Sequence, residues 1–164
     1  AMSYAPNIDA AEYLIKEIMP LVWEKKPNVK IVIAGGGSPS WLEKLANERI
    51  IMPGWVEDMK EYYSQTKLFI APMRIGTGLQ NKLLEAMAMN VPCITSYLAN
   101  QALRAKDKEE ILIANNAREY ADYIIKMLDN KELSQNIAQA GKDYVFNEYS
   151  WQNSCEKLSS IFMN

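Results

Sequence analysis

A regular alternation of short apolar runs with longer amphipathic segments is the feature that most constrains the fold of this chain. The runs occupy residues 30–34, 50–52, 68–71, 93–96 and 111–114, and isoleucine, valine and leucine dominate them. Each run is short and bounded by turn residues, which is typical of strands buried on both faces of a parallel sheet. Because helical segments separate the runs, the alternation predicts an α/β fold with a parallel sheet and helices on both faces.

The segments between the runs contain several helix boundaries. We predict a first helix with Asn7 as its N-cap, bent or divided at Pro20. Residues 40–43 and 58–61 have the capping-box pattern of helix starts, and residues 80–89 form a further helix. Helical spacing of apolar residues predicts three consecutive helices within 117–128, 133–145 and 151–162. Residues 97–110 are the least periodic part and predict a loop with a short helix.

Composition excludes several classes of function. The 18 basic and 20 acidic residues leave a net charge of −2, so no positive excess exists to hold nucleic acid or an anionic membrane. No run is long enough to span a bilayer, and we expect no signal peptide at the start of the chain. Histidine, the commonest general base and metal ligand, is absent. We expect Cys93 and Cys155 to be buried, reduced thiols and not part of a zinc site.

The segment 72–89 carries the chemistry, because a strand leads through a loop with two glycines into a helix. Gly76 and Gly78 let the backbone approach a ligand, and the first amides of the helix form an anion site suited to a phosphate. Lys82 and Glu85 share one helix face, where a cation can neutralise a phosphate and a carboxylate can accept hydrogen bonds from a ribose. Arg74 can offer a forked donor to a second phosphate oxygen.

A simpler interpretation of the same segment stays open. The two glycines can merely shape a turn, and Lys82 and Glu85 can be a surface pair worth a few tenths of a kcal/mol. Residues 35–37, three glycines after the first strand, lack the spacing of a dinucleotide-binding loop and indicate a plain turn.

Residues 72–88 resemble the donor-binding signature of family 4 retaining glycosyltransferases with the GT-B fold. They are especially similar to bacterial sugar transferases whose loop reads Pro-Leu-Arg-Ile, then Gly-Ile-Gln-Asn-Lys, then Leu-Glu-Ala-Met-Ala. The resemblance extends in order over residues 2–10, 31–35, 51–56, 68–72, 91–94 and 141–151. It implies the Rossmann-like C-terminal half of a GT-B fold, a single nucleotide-sugar-binding domain over residues 1–164.

The resemblance implies a role for each matching residue. Glu85 matches the second glutamate of the E-x7-E motif and holds the ribose hydroxyls, while Lys82 and the amides of Gly78 and Leu79 hold the diphosphate. The first glutamate of the motif, which reaches the donor sugar, is replaced here by Thr77. The implied donor-binding residues are Arg74, Gly76, Thr77, Gly78, Leu79, Lys82, Glu85 and, beside the nucleobase, Gly54, Trp55 and Val56.

The resemblance also implies parts that this chain does not contain. The family has an N-terminal acceptor domain and one more strand just before Met2, and that strand is central in the family's sheet. We therefore predict either direct pairing of the strands across the gap or a sheet that borrows an edge from a neighbour. The ordinary six-strand order within one chain would refute this prediction.

For the parent protein, the resemblance implies transfer of a sugar from a nucleoside diphosphate sugar to a glycan or lipid-linked acceptor, with retention, in cytoplasmic polysaccharide synthesis. Lys82 and Arg74 would stabilise the departing diphosphate, so no metal or other cofactor is expected. Two alternatives are a sugar-nucleotide epimerase of the same fold and a non-catalytic module that binds nucleotides or proteins. The isolated domain is expected to bind the donor but to be inactive.

Overall fold

The structure is a computed structural model that describes residues 1–76 and 78–149. It contains five strands in the predicted places: β1 Ile31–Ala34, β2 Ile50–Gly54, β3 Phe69–Ala71, β4 Cys93–Thr95 and β5 Leu112–Ile113. The described helices are α1 Ala5–Tyr13, α2 Met19–Lys25, α3 Ser40–Glu43, α4 Met59–Gln65, α5 Asn81–Ala88, α6 Tyr97–Leu103, α7 Ala117–Asp129 and α8 Lys131–Tyr149. Thr77, Cys155 and the predicted helix within 151–162 lie outside the described residues.

The strands form two separate parallel ladders. Strand β1 pairs with β2, and β4 pairs with both β3 and β5. Within the described residues no ladder joins β1 to β3, so direct pairing across the predicted gap is not formed, and neither is the six-strand order. A borrowed edge strand stays a prediction. The parallel direction of every pair confirms the α/β class.

Helices cover both faces of the β3–β5 ladder. Consecutive strand residues point to opposite faces, and on β4 Cys93 packs in one buried cluster while Ile94 packs in the other. The Cys93 face is covered by α5 and α8, and the Ile94 face by α1, α2 and α7. Cys93 is a buried free thiol, as predicted, and burial raises its pKa.

The first helix is divided before Pro20, as predicted. A π-helical turn, Leu14–Ile18, separates α1 from α2, because proline has no N–H to continue the regular ladder. The predicted N-cap was wrong. The helix starts at Ala5 with Tyr4 in the cap position and Pro6 in the first turn, where a missing N–H costs nothing. Asn7 therefore lies inside the helix and its side chain is free for other contacts.

Two further helix starts were predicted from capping boxes, and one is confirmed. Asp58 caps α4 by accepting the Lys60 N–H at 2.8 Å. Helix α3 exists, but its cap position is Pro39 and no side chain caps it. Ser40 is one residue too far along to act as the cap. The loop predicted for 97–110 does contain a short helix, α6, which Ser96 caps by accepting the Ala99 N–H at 3.1 Å.

Candidate functional site

The carboxyl ends of β1, β2 and β3 meet the start of α1 in one rim. Gly36 lies against Trp55, and a Cβ at Gly36 would come within 3.2 Å of the Trp55 Cβ. Gly76 lies against Pro6 at the same distance. The Met2 N–H donates to the Gly36 carbonyl at 2.8 Å, which ties the beginning of the chain to the first strand end. Ligands of open parallel sheets bind at this edge.

The loop after β3 requires glycine at two positions. Gly76 has a φ of 96° and Gly78 a φ of 90°, a region that other residues rarely adopt. The two glycines differ in what surrounds them. A Cβ at Gly76 would meet Pro6, whereas nothing lies within 4 Å of a Cβ at Gly78. The backbone at Gly78 is therefore open to approach by a ligand, and Thr77 between them lies outside the described residues.

The start of α5 follows this loop and has no side-chain cap. Gln80 occupies the cap position but its amide donates back to the Gly78 carbonyl at 3.3 Å. The Leu83 N–H donates to the Gln80 carbonyl at 2.9 Å, whereas the N–H groups of Asn81 and Lys82 precede the first carbonyl bond of the helix. An uncapped helix start beside an open glycine backbone can hold an anion.

Lys82 lies in the first turn of α5 and is half-buried. Its ammonium donates to the side-chain carbonyl oxygen of Asn7 on α1, and burial lowers its pKa. The Asn7 amide in turn donates to the Ala1 carbonyl at 2.8 Å. Because Asn7 is neutral, it positions Lys82 without compensating the charge, and an ammonium has two further donors for a ligand.

Glu85 lies one turn later on the same helix and is exposed. Its Oε2 accepts a hydrogen bond of 3.2 Å from the hydroxyl of Tyr63 on α4. Residues three apart share one helix face, so Lys82 and Glu85 present a cation and a carboxylate side by side. The spacing in the sequence predicted this juxtaposition.

Arg74 is held differently from the sequence prediction. Its Nε and Nη2 donate to the two carboxylate oxygens of Asp9 at 3.1 and 2.8 Å, and Nη1 donates to Glu17 at 3.3 Å. The guanidinium also lies over the Tyr13 ring, 4.2 Å from its centroid. The guanidinium donors that were predicted to bind a phosphate oxygen are bonded instead to the carboxylates of Asp9 on α1 and Glu17 in the π-helical turn.

On the other side of Arg74, a cavity of roughly 170 Å³ opens at the ends of β3, β4 and β5. Ser96, Tyr97 and Tyr120 are among its lining residues. The Tyr120 hydroxyl is buried and makes no hydrogen bond in the described structure. Burial raises the pKa of Tyr120, and the nearby Ser96 hydroxyl offsets only part of this increase. Water can fill a polar cavity of this size.

The residues predicted to lie beside a nucleobase follow β2. Gly54 ends the strand with a φ of 76°, and Trp55 is 75% exposed at the rim. Val56 is half-buried, and Leu79 on the glycine loop is 39% exposed. The exposed Trp55 ring at a strand end is available to contact a ligand or another domain.

Three residues of the site were missed by sequence reasoning: Asn7, Asp9 and Tyr63. No motif marks any of the three as a ligand-site residue, and each meets its partner only through the fold. On α1, the polar residues Asn7 and Asp9 stand beside the buried Pro6 and Ala10. This is a weak signal that they have partners in the fold.

The described part of the chain contains neither a candidate metal-binding cluster nor a candidate membrane-spanning helix. Residues 1–76 and 78–149 hold no cluster of three or more acidic or cysteine side chains able to bind a metal ion. None of their helices is both long and apolar enough to cross a bilayer.

Two curated relatives resemble most of the chain. An uncharacterised 44.6 kDa protein of the cps region of Klebsiella pneumoniae is 25% identical over 95% of this chain and 42% of its own length. The Staphylococcus aureus capsular polysaccharide biosynthesis glycosyltransferase CapM is 24% identical over 87% of this chain and 40% of its own length. The chain therefore spans about two-fifths of the relatives it matches.

Solved structures share the fold. A variant of Staphylococcus aureus TarM, crystallised with UDP, fondaparinux and α-GlcNAc-glycerol, is 22% identical with a TM-score of 0.81, over 99% of this chain and 34% of that one. Anabaena HepE in complex with UDP is 14% identical with a TM-score of 0.76, over 93% and 46%.

A family model provides the assignment. The model described as Glycosyl transferases group 1 matches residues 1–130, which is most of the 164 residues and includes every strand and the glycine loop. The chain belongs to the group 1 glycosyltransferases.

Proposed function

We propose that this chain is the donor-binding domain of a glycosyltransferase and binds a nucleoside diphosphate sugar at the rim around α5. One observation carries the proposal. A half-buried lysine with a neutral partner and an exposed carboxylate lie side by side at an uncapped helix start, next to an open glycine backbone. This arrangement matches a ligand that has two phosphates and a ribose.

Each group has one task in this proposal. Lys82 and the amides of Gly78 and Leu79 hold the diphosphate, Glu85 accepts hydrogen bonds from the ribose, and the backbone of residues 54–56 lies beside the base. When the sugar departs, negative charge develops on the diphosphate oxygen, and a cation and helix amides already in place stabilise that charge without proton transfer. No metal is required for this neutralisation. Arg74 could take part in this neutralisation only if its hydrogen bonds to Asp9 were broken.

Transfer itself belongs to the whole protein. The chain spans about two-fifths of its relatives, so we propose that an acceptor domain lies elsewhere in the protein and that this domain alone does not complete the reaction. CapM is named for capsular polysaccharide biosynthesis, and two fold neighbours were crystallised with UDP. These names support a UDP-type donor and a glycan product. We further propose a glycan or lipid-linked acceptor, retention at the anomeric carbon and a cytoplasmic reaction.

Thermal unfolding with UDP, GDP, dTDP, CMP and ADP tests the proposal. A ligand at about 100 times its dissociation constant adds about 2.7 kcal/mol to the free energy of unfolding. We expect one diphosphate to raise the melting temperature of the chain, and Glu85→Ala to weaken its binding with little change in the unliganded melting temperature, because Glu85 is exposed. Equal shifts for the parent and for both Glu85→Ala and Lys82→Ala would contradict the site.

A further inference from the structure

Tyr63 is a buried residue whose hydroxyl reaches the proposed donor site from another element. The side chain on α4 is 4% exposed and packs in the same buried cluster as Leu83 and Met87 of α5. Its ring contacts Phe69 of β3 edge to face, with centroids 5.7 Å apart. Both sides of the ring are therefore fixed by the core, and the position of the hydroxyl is fixed with it.

The hydroxyl can act only as a donor toward Glu85. Burial and the nearby negative charge of Glu85 raise the pKa of Tyr63, so the phenol keeps its proton throughout the neutral range. The hydroxyl donates to Glu85 Oε2 at 3.2 Å. One carboxylate oxygen is thus anchored to the core, while Glu85 as a residue stays exposed on α5.

We propose that Tyr63 is a positioning residue that orients the Glu85 carboxylate and thereby sets the preference of this site for ribose over deoxyribose. The inference rests on the proposed function, since it assumes that Glu85 meets the ribose. An exposed glutamate has three rotatable bonds, and ordering such a side chain opposes ligand binding through lost conformational entropy. The bond from Tyr63 removes part of that cost before the ligand arrives.

The chemistry of the carboxylate explains why this affects specificity. Two oxygens provide about four acceptor positions. With Oε2 held by Tyr63, the plane of the carboxylate is set, so a neighbouring pair of hydroxyls can bond both oxygens in one geometry. A deoxyribose has only one of these hydroxyls and gains less from the fixed plane. Without the bond from Tyr63 the carboxylate can rotate, so a pair of hydroxyls loses its advantage over a single hydroxyl.

The matched variants are Tyr63→Phe and Tyr62→Phe. Phenylalanine at position 63 keeps the ring in the core and leaves an exposed carboxylate that water can bond, so the fold is retained. Tyr62 is the preceding residue on the same helix, and its side chain makes no hydrogen bond in the described structure. Its substitution controls for loss of a tyrosine hydroxyl on α4.

Isothermal titration calorimetry with UDP, CDP, GDP and ADP, each beside its 2′-deoxy form, tests the proposal. We expect the parent and Tyr62→Phe to bind the ribonucleotide about 10-fold tighter than the deoxy form, as for one charged hydrogen bond. In Tyr63→Phe this ratio should fall to about 2–3, with the affinity for the deoxy form unchanged.

The outcomes distinguish failure of this inference from failure of the proposed function. If Tyr63→Phe keeps the parent ratio, or weakens both forms equally, Tyr63 does not position Glu85 and the inference is overturned while the donor site stands. If Glu85→Ala keeps the ratio, the ribose assignment of the proposed function fails. Binding of none of the eight nucleotides refutes the proposed function and this inference with it.

Discussion

The two cations beside the glycine loop, Lys82 and Arg74, have opposite surroundings. Lys82 is half-buried, and its bond in the described structure goes to the neutral amide of Asn7. Arg74 keeps 43% of its side chain exposed, yet three of its nitrogens donate to the carboxylates of Asp9 and Glu17. Exposure alone therefore does not make a cation available to an anion, because carboxylates that already compensate its charge matter more.

Lys82 and Arg74 are therefore expected to have different roles at the site. A bidentate pair between an arginine and a carboxylate is among the stronger charged hydrogen-bond arrangements. A diphosphate would have to displace Asp9 before Arg74 could bond it, whereas Lys82 has donors to spare. We therefore expect Lys82 to contribute affinity and Arg74 to hold the loop against α1.

Removal of the Lys82 charge should have the largest effect. We expect Lys82→Ala to weaken UDP binding by roughly 10–100-fold, because a hydrogen bond to a charged group contributes about 1.5–3 kcal/mol. Binding of uridine, which has no phosphate, should change little. Calorimetric titration of the parent, Lys82→Ala and a variant at the exposed Lys60 measures both ligands. An equal loss for uridine and UDP would mean that the fold, and not a phosphate contact, was damaged.

The pH dependence of binding should show the effect of burial on Lys82. Burial lowers its pKa below the usual 10.5, so the ammonium loses its proton at lower pH than an exposed lysine does. The affinity for UDP should then fall several-fold as the pH rises from 7 to 10, while Lys82→Arg, which stays charged, should show a flatter profile. Unliganded stability changes in the opposite direction, because the unfolded chain binds this proton more tightly and folding gains as pH rises. Parallel profiles for both proteins would reject Lys82 as the titrating group.

Substitution of Arg74 should affect stability more than affinity. We expect Arg74→Ala to lower the melting temperature by about 2–4 °C, corresponding to about 1 kcal/mol for a chain of this size, and to change the affinity for UDP less than about 3-fold. The expected effect is small because the ion pair between Arg74 and Asp9 is partly exposed to solvent. Asp9→Asn should destabilise similarly and, by releasing the guanidinium, leave UDP binding unchanged or tighter. A large loss of UDP affinity in Arg74→Ala with an unchanged melting temperature would reverse the assigned roles.

Much of the fold was predictable from local patterns. The five strands appeared where short apolar runs end in glycine, proline or polar residues, and the amphipathic segments formed helices between them. The errors concern single boundaries. Pro6 let α1 begin before Asn7, and Pro39 moved the cap of α3 away from Ser40. Boundaries depend on one or two backbone angles, which weak local preferences do not decide.

The loop glycines and the shared face of Lys82 and Glu85 could be predicted from the sequence, because they follow from backbone preference and helical spacing. The partners of the three charged side chains depend on tertiary packing. Arg74 meets Asp9 across 65 residues, Lys82 meets Asn7 across 75, and Glu85 meets Tyr63 across 22. No local spacing encodes contacts at such separations. They exist because α1 and α4 are brought against the loop by burial of their apolar faces, and that packing determines which cation is left for a ligand.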